Sequence, residues 1–550
     1  MMPETAPDQI AAAINNKQSF LVEAGAGSGK TWSLIETLKY ILNEEASTLE
    51  GKDRQITCIT YTNIAKDEII NRIDNNPLVF VGTIHEFLWH VMKNYQTELK
   101  KAILDFNAAN ERNPVGDLET KIKDVTVTYS QYGRNFERGQ ITHNDVIEFS
   151  SKLFEAYPKI AKIVASKYPY IFVDEYQDTE KRTVDLLLDQ LLRLNSGKVV
   201  IGFFGDSMQK IYEQGVGAIN DERLQTITKQ ENFRCSLTVI QLLNNIRPTL
   251  QQVAAGHNVQ GEALVFCGTN SNNSDYGKVF NYLTSDKGWQ PTKTKVLMLT
   301  HKGIAGKLDY PNLLSTYDTI PFYRDRLLKS DEEFSIFFQK IEDLIFAYDT
   351  KKYGDFIQLL GKEGFRFSKH QHKREIKEQV EHLKQLRASA KIKDVFAYLF
   401  QNGLLTKPQS IEDFETDISR QPLPEEYQKK KEFYDSLMDV SYQEVVNIYQ
   451  YIKEQTPFST KHGVKGAEYE NVLVVIEDGV WPMYNFNDVF SGNQRNLARY
   501  QRTLNLLYVC CSRAKNRLAL LTLSSLDSQA MSTLRSWFEA ENVHQVSTLQ

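Results

Sequence analysis

Cysteine is scarce in this chain and shows no short-range pairing pattern. Five cysteines are scattered over 550 residues, Cys510 and Cys511 being the only adjacent ones, and no Cys-x-x-Cys occurs. That spacing indicates neither a zinc site nor an iron–sulfur cluster, and it points to a reducing, cytoplasmic compartment. Long apolar runs are also missing. No uninterrupted stretch approaches the roughly 20 residues a membrane helix needs, so no membrane association is expected. The first thirteen residues carry acids and prolines rather than a basic segment followed by an apolar one, so export is not expected. Nor is positive charge in excess. The formal net charge of −5 argues against wholesale attraction to nucleic acid, so DNA binding has to come from local groups and stacking rings. Low-complexity tracts and internal repeats are lacking too. What remains is an ordinary globular composition, 41% apolar and 25% charged. The length exceeds what one core can organise, and three or four structural units are expected.

Apolar runs with strand character recur at Phe20-Leu21-Val22, Ile56–Thr60, Val79-Phe80-Val81, Tyr170–Val173 and Val199–Phe204, separated by helical patterns. Strands alternating with helices predict a parallel, doubly wound sheet. A second set begins after Phe233, with Ala263–Phe266, Val296–Leu299, Asn471–Ile476 and Leu518–Leu523. Two stretches interrupt these cores with helical, charged sequence. The expected fold is therefore α/β, with two parallel-sheet domains that each carry a helical insertion. The expected boundaries are 1–85 and 144–229 for the first core around an insertion at 86–143. The second core spans 230–328 and 453–550 around an insertion at 329–452. Lys369 to Lys393 reads as one long, charged helix, whose charges suit a solvated face better than a dedicated DNA patch.

The most informative segment follows the first strand: Glu23-Ala24-Gly25-Ala26-Gly27-Ser28-Gly29-Lys30-Thr31. A strand, a glycine-rich turn and a helix start together aim backbone N–H groups at a phosphate with no Cβ in the way. Lys30 can reach the outer phosphates and the Thr31 hydroxyl can hold Mg²⁺. The usual pattern begins with Gly where this chain has Ala24. A small-residue turn that merely caps a helix would have no need of Gly-Lys-Thr. Further on, Asp174 and Glu175 end an apolar strand, where open α/β sheets place ligands. One carboxylate to hold the metal and a neighbour to act on water is what ATP hydrolysis requires, with Asp174 as the metal-side acid and Glu175 as the base.

The run Val173-Asp174-Glu175-Tyr176-Gln177-Asp178-Thr179 resembles the second motif of the UvrD/Rep/PcrA helicases of superfamily 1, and the resemblance continues in order along the chain. Gln9 sits where that family reads adenine, ahead of the phosphate loop. Tyr61-Thr62-Asn63 and Gly82-Thr83-Ile84-His85 resemble its motifs that contact single-stranded DNA. Gly205-Asp206-Ser207-Met208-Gln209 is similar to the motif whose glutamine senses the γ-phosphate, followed by Tyr212 as a stacking ring. Asn232-Phe233-Arg234 resembles Asn-Tyr-Arg, in which the ring lies on adenine and the arginine meets phosphate. Thr460-Lys461-His462 through Gly466-Ala467-Glu468 matches Thr-x-His-x-x-Lys-Gly-x-Glu, placing His462 on the DNA side and Glu468 on the nucleotide side. Tyr508 to Lys515 resembles the last motif, with Arg513 as arginine finger.

The resemblance implies two RecA-like domains, ATP with Mg²⁺ in the cleft between them, and 3′ to 5′ movement on single-stranded or tailed DNA. Positive charge for phosphoryl transfer would come from Lys30, Arg234, Arg513 and the metal. The DNA-side set of Thr62, Asn63, Thr83, His85, Tyr212 and His462 consists of short polar groups and rings. That suits a strand held without sequence preference and reconciles an acidic chain with a DNA partner.

Three departures stand out. Tyr212-Glu213-Gln214-Gly215 lacks the family's stacking Trp, Ile64-Ala65-Lys66 replaces Lys-Ala-Ala, and Arg502-Thr503 replaces an acidic pair. The first two remove grip on DNA and leave the ATPase residues intact. Short insertions and no appended nuclease domain argue against the nuclease-bearing recombination helicases. Small size and core motifs resemble the compact helicases of the Gabija anti-phage system, which work beside an OLD-like nuclease. Two readings therefore stand: a translocase that separates strands, and a DNA-stimulated ATPase subunit that switches a partner nuclease.

Overall fold

The computed structural model describes residues 5–109, 114–130, 134–210, 214–268, 273–298, 301–321, 323–362, 370–453, 456, 458–460, 467–479 and 482–549. It is an α/β fold that divides into two compact units. Residues 1–265, 482–518 and 526–543 form the first; residues 266–481, 519–525 and 544–550 form the second.

The first unit is built on a six-stranded sheet of β1 (Phe20–Ala24), β2 (Ile56–Thr60), β3 (Val79–Thr83), β4 (Tyr170–Asp174), β5 (Val200–Gly205) and β6 (Gln225–Lys229), in the order β3-β2-β4-β5-β1-β6. Every neighbouring pair is parallel. Parallel strands demand crossover segments, which cover both faces, so the strands must be apolar on both sides. Alternation sorts their side chains into two clusters. Phe20, Val22, Cys58, Phe172 and Phe204 pack with Leu34, Leu38 and Ile41 of α1 (Lys30–Gly51). Leu21, Ile59, Ile171, Val173, Ile201 and Phe203 pack on the other face with Phe87, Phe149, Leu153 and Leu187.

Strand β6 is the one strand of this sheet that the apolar runs do not reveal. Its sequence is Gln-Thr-Ile-Thr-Lys, and only Ile227 and Lys229 are buried. It lies at the sheet edge against β1, where one covered face suffices. The segment after β3 is less uniformly helical than its composition predicts. Helices Ile84–Met92 and Gln96–Ala108 are followed by a two-stranded parallel ladder, Thr128–Tyr129 with Gln140–Ile141.

The second sheet orders β7 (Glu262–Cys267), β8 (Thr294–Met298), β9 (Phe458–Thr460), β10 (Tyr469–Ile476), β11 (Ala514–Thr522) and β12 (Val543–Gln545) as β9-β8-β10-β11-β7-β12. Between β8 and β9 the described residues of the second unit are mostly helical. Aromatic contacts hold this region, including Tyr317 on Phe433 at 5.1 Å and Phe337 on Phe396 at 5.0 Å. The long charged helix predicted from Lys369 to Lys393 is observed from His370 to Ser389. Lys391 adopts extended backbone and a new helix begins at Ile392. Several of its charges are paired: Lys384 with Asp349 at 2.7 Å, Arg374 with Glu378 at 3.0 Å, and Arg387 with the buried Glu342. Among the described residues no helix is long and apolar enough to cross a membrane.

Gly202 of β5 shows how tightly the first sheet is packed, because a Cβ there would lie 2.7 Å from both the Phe172 and Phe20 rings. Neither buried ring can retreat. Gly202→Val is expected to cost about 1–3 kcal/mol of stability by overpacking, read as a lowered urea midpoint of unfolding. An unchanged midpoint would show that this face yields.

Candidate nucleotide site

The phosphate-loop sequence leaves β1 and enters α1 through two left-handed residues, Gly27 (φ 73°) and Gly29 (φ 76°). Gly29 is the N-cap of a 22-residue helix and offers no side-chain cap, so the first backbone donors of that helix are open to an anion. Ser28 is buried, and its Oγ has no hydrogen-bond partner among the described residues. An orphaned hydroxyl, a bare helix start and Lys30 together fit a phosphate chain.

A second segment braces the loop. Gly25 N–H donates to the Lys229 carbonyl at 3.2 Å, and Phe233 N–H donates to the Gly27 carbonyl at 2.9 Å. The Asn232 and Gln252 amides both donate to the Ala26 carbonyl, at 2.9 and 2.8 Å. This approach is so close that a Cβ on Gly25 would lie 2.2 Å from Gln252, and one on Gly27 would lie 2.8 Å from both Asn232 and Arg234. Two large rings stand exposed beside the loop, Trp32 (49%) and Phe233 (55%). An exposed ring beside a polar pocket suits stacking of a base. Lys229 lies under the Trp32 ring at 5.6 Å and donates to Ser33 Oγ at 3.0 Å. A cavity of about 300 Å³ opens between Trp32 and the helix Ala6–Asn15, which carries Gln9. Trp32 and Lys229 carry no sequence signal beyond their positions after the loop and on the missed strand.

Asp174 ends β4, and Glu175 follows it in left-handed backbone (φ 49°). The Lys30 Nζ lies 3.5 Å from Glu175 Oε2, and the Gln177 amide donates to the same oxygen at 2.6 Å. Burial, then the charge of Glu175, pushes the Asp174 carboxyl up to about 7, against the pull of Lys30. Two adjacent carboxyls that resist joint ionisation are suited to a divalent cation. Thr31 and Asp174 would supply the protein oxygens. Among the described residues no group of three or more acidic, histidine or cysteine side chains is placed to hold a metal.

Positive charge converges on the same place. Arg513 is buried and its guanidinium is pushed down to about 10, by burial and then by the nearby charge of Arg234, with Glu175 acting in the opposite sense. Arg513 also donates to Gln209 Oε1 at 3.5 Å. Lys30, Asp174, Glu175, Gln209, Arg234 and Arg513 lie in the first unit.

Behind them runs a buried ionic cluster that sequence reasoning missed. Arg247 donates to Asp206 Oδ1 at 2.8 Å and also to Glu23, while Tyr176 donates to Glu23 as well. The Tyr508 hydroxyl donates to Asp206 Oδ2 at 3.3 Å and accepts from the Ala26 N–H at 3.0 Å. Arg247 and Asp206 are 4% and 0% exposed, so neither charge could stand alone. Arg247 follows the helix Leu237–Ile246 and belongs to no recognisable motif, which is why no pattern marks it.

Of the residues that the resemblance assigns to DNA, Thr62 and Thr83 are helix N-caps, accepting from Ala65 and Glu86 N–H at 3.2 and 3.3 Å. A capping hydroxyl still has its O–H to donate to a phosphate oxygen. Lys66, displaced relative to the family pattern, pairs with Glu86 at 2.8 Å. Asn63 opens the helix after β2. His85 stacks on His143 at 4.5 Å, and burial followed by the charge of His143 pushes His85 down to about 4, so it is a neutral ring at pH 7. Thr83, His85, Tyr61, Tyr129 and His143 line a cavity of about 720 Å³ that extends to Asp174. Tyr212 and His462 lie outside the described residues, and Glu468 precedes β10 in the second unit.

The UvrD/REP helicase N-terminal domain matches residues 5–132 and 110–219, and the UvrD-like helicase C-terminal domain matches residues 206–525. The chain belongs to the UvrD-like helicase family. Gabija protein GajB of Bacillus cereus is 24% identical over 92% of this chain and 93% of its own length. The ATP-dependent DNA helicase PcrA of Staphylococcus aureus is 26% identical, over 44% of this chain and 39% of its own. The PcrA of Staphylococcus epidermidis is 25% identical over the same shares.

The raised Asp174 carboxyl has a definite pH consequence. Its folded value lies above the unfolded one, so the native state holds the extra proton, and the destabilising charge develops as pH rises through about 7. In Mg²⁺-free buffer, Asp174→Asn should raise the melting temperature more at pH 8 than at pH 6. Equal shifts at both would refute the assignment.

Proposed function

We propose that this protein is an ATP-driven motor that translocates 3′ to 5′ on single-stranded DNA. The observation that carries this reading is the convergence of Lys30, Arg234 and Arg513 with the Asp174-Glu175 pair and Gln209 beside the phosphate loop. Phosphoryl transfer needs positioning and neutralisation of charge on the γ-phosphate, and three cations beside one acidic pair are matched to a polyanion. Thr31 and Asp174 would hold Mg²⁺, which would supply neutralising charge to the phosphates when bound with ATP. Lys30 and the loop amides hold the phosphates, Glu175 takes the proton of the attacking water, and Gln209 connects the γ-phosphate position to Arg513. Trp32 and Phe233 stack on the base. DNA would run past Thr62, Asn63, Thr83 and His85, with Tyr212 and His462 completing the path.

A second reading has its own support. The likeness to GajB extends over 92% of this chain, whereas the PcrA likeness covers 44%. Together with the missing Trp after Tyr212, this favours a DNA-stimulated ATPase that regulates a partner nuclease in anti-phage defence and unwinds little by itself.

Lys30→Ala should lose nucleotide binding. Glu175→Gln should retain it while turnover falls by about 10²-fold or more, as expected for loss of a general base. ATPase activity measured with and without single-stranded DNA, beside unwinding of a 3′-tailed duplex, separates the readings. Stimulation with unwinding supports the motor, stimulation without unwinding supports the switch, and indifference to DNA removes both.

A further inference from the structure

The buried cluster around Asp206 joins three parts of the candidate site that lie far apart in sequence. Tyr508 accepts from the Ala26 N–H of the phosphate loop and donates to Asp206. Asp206 in turn accepts from Gln209 at 2.8 Å, and its own N–H donates to Gln177 Oε1 at 3.1 Å. Gln177 donates to Glu175 and Gln209 accepts from Arg513. A continuous hydrogen-bonded path therefore runs from the phosphate loop to Glu175 and to Arg513. Arg247 closes it from behind, bonded to Asp206 and Glu23, with its guanidinium 5.7 Å from the Tyr508 ring centroid.

The location of Tyr508 gives this path its leverage. It sits on α2, the helix Leu497–Cys511, and Arg513 follows the C-cap Ser512 of that helix. The Arg513 Nε donates back to the Val509 carbonyl at 3.0 Å, so its guanidinium moves with the last turn. Fixing Tyr508 to Ala26 therefore fixes the approach of Arg513 to the loop.

We propose that Tyr508 and Arg247 are positioning residues that set the register of Arg513, Gln209 and Glu175 against the phosphate loop. This rests on the reading that the loop binds ATP for hydrolysis. Neither residue needs to touch nucleotide. Tyr508 occupies one backbone donor of the loop and transmits that constraint to Asp206. Arg247 pairs with both Asp206 and Glu23, and without it the fully buried Asp206 would lose its cation partner and the geometry it imposes. Groups that act on transition-state charge tolerate little misplacement, whereas ground-state binding through Lys30 and the remaining amides is less sensitive.

The test is steady-state ATPase kinetics on the full chain with saturating single-stranded DNA, with melting temperature measured alongside. Tyr508→Phe deletes one oxygen and keeps the ring. It is expected to lower kcat about tenfold while KM for ATP changes by less than about twofold, the pattern of a lost transition-state interaction. Arg247→Met should do the same, and Arg247→Lys should recover part of the loss because a point charge still reaches one carboxylate. If Arg247→Met fails to fold, Tyr508→Phe decides alone. A wild-type kcat in Tyr508→Phe overturns the proposal, as does a loss matched by an equal rise in KM or by a lost folded fraction. A wild-type chain that hydrolyses no ATP removes the nucleotide reading and this inference with it. An active wild type with an equally active Tyr508→Phe removes only the inference.

Discussion

The site depends on how closely one backbone segment lies against another. In the loop from Ala24 to Gly29, a Cβ at Gly25 would meet Gln252 and one at Gly27 would meet Asn232 and Arg234, so any larger residue there would force these side chains to shift. The usual account of glycine in such a loop is that it clears the way for phosphate. Here it also clears the way for protein. The same missing Cβ atoms let Asn232 and Gln252 bind the Ala26 carbonyl and let Phe233 bind the Gly27 carbonyl. Arg234 is thereby carried to the loop by main-chain bonds rather than by its own flexible stem.

Charge is the second constraint. The first unit buries Arg247, Asp206 and Arg513, at 4%, 0% and 1% exposure, in a chain whose net charge is modest. Buried charges persist only when paired and hydrogen-bonded. Arg247 meets that condition with two carboxylates. Arg513 is held differently, by Val509, Ser512 and Gln209, with another arginine nearby.

Much of the first unit was legible in the sequence, because parallel strands buried on both faces must read as apolar runs, as Tyr170–Asp174 and Val200–Gly205 do. Strand β6 escaped because an edge strand needs only alternate apolar positions, and its buried members are one isoleucine and one lysine. The break at Lys391 escaped because helical periodicity continues through it; extended backbone there and a bridge to Ser441 are tertiary events. At the site, Lys30, Asp174-Glu175 and Arg513 were legible since each sits in a local pattern tied to strand ends or a helix end. Arg247, Tyr508 and Glu23 were not, since their roles arise only from partners up to hundreds of residues away.

The sequence by itself determined the elements and their chemistry: where strands end, where a glycine turn opens a helix, and which side chains can hold phosphate, metal or base. Those follow from short-range periodicity and backbone sterics, which a local window contains. Tertiary structure alone decided which of these groups share one environment. It placed Tyr508 on Ala26, Arg247 between Asp206 and Glu23, and His143 on His85. Such pairings minimise the cost of burying polar groups away from water, and that cost is defined only when the chain has closed around them.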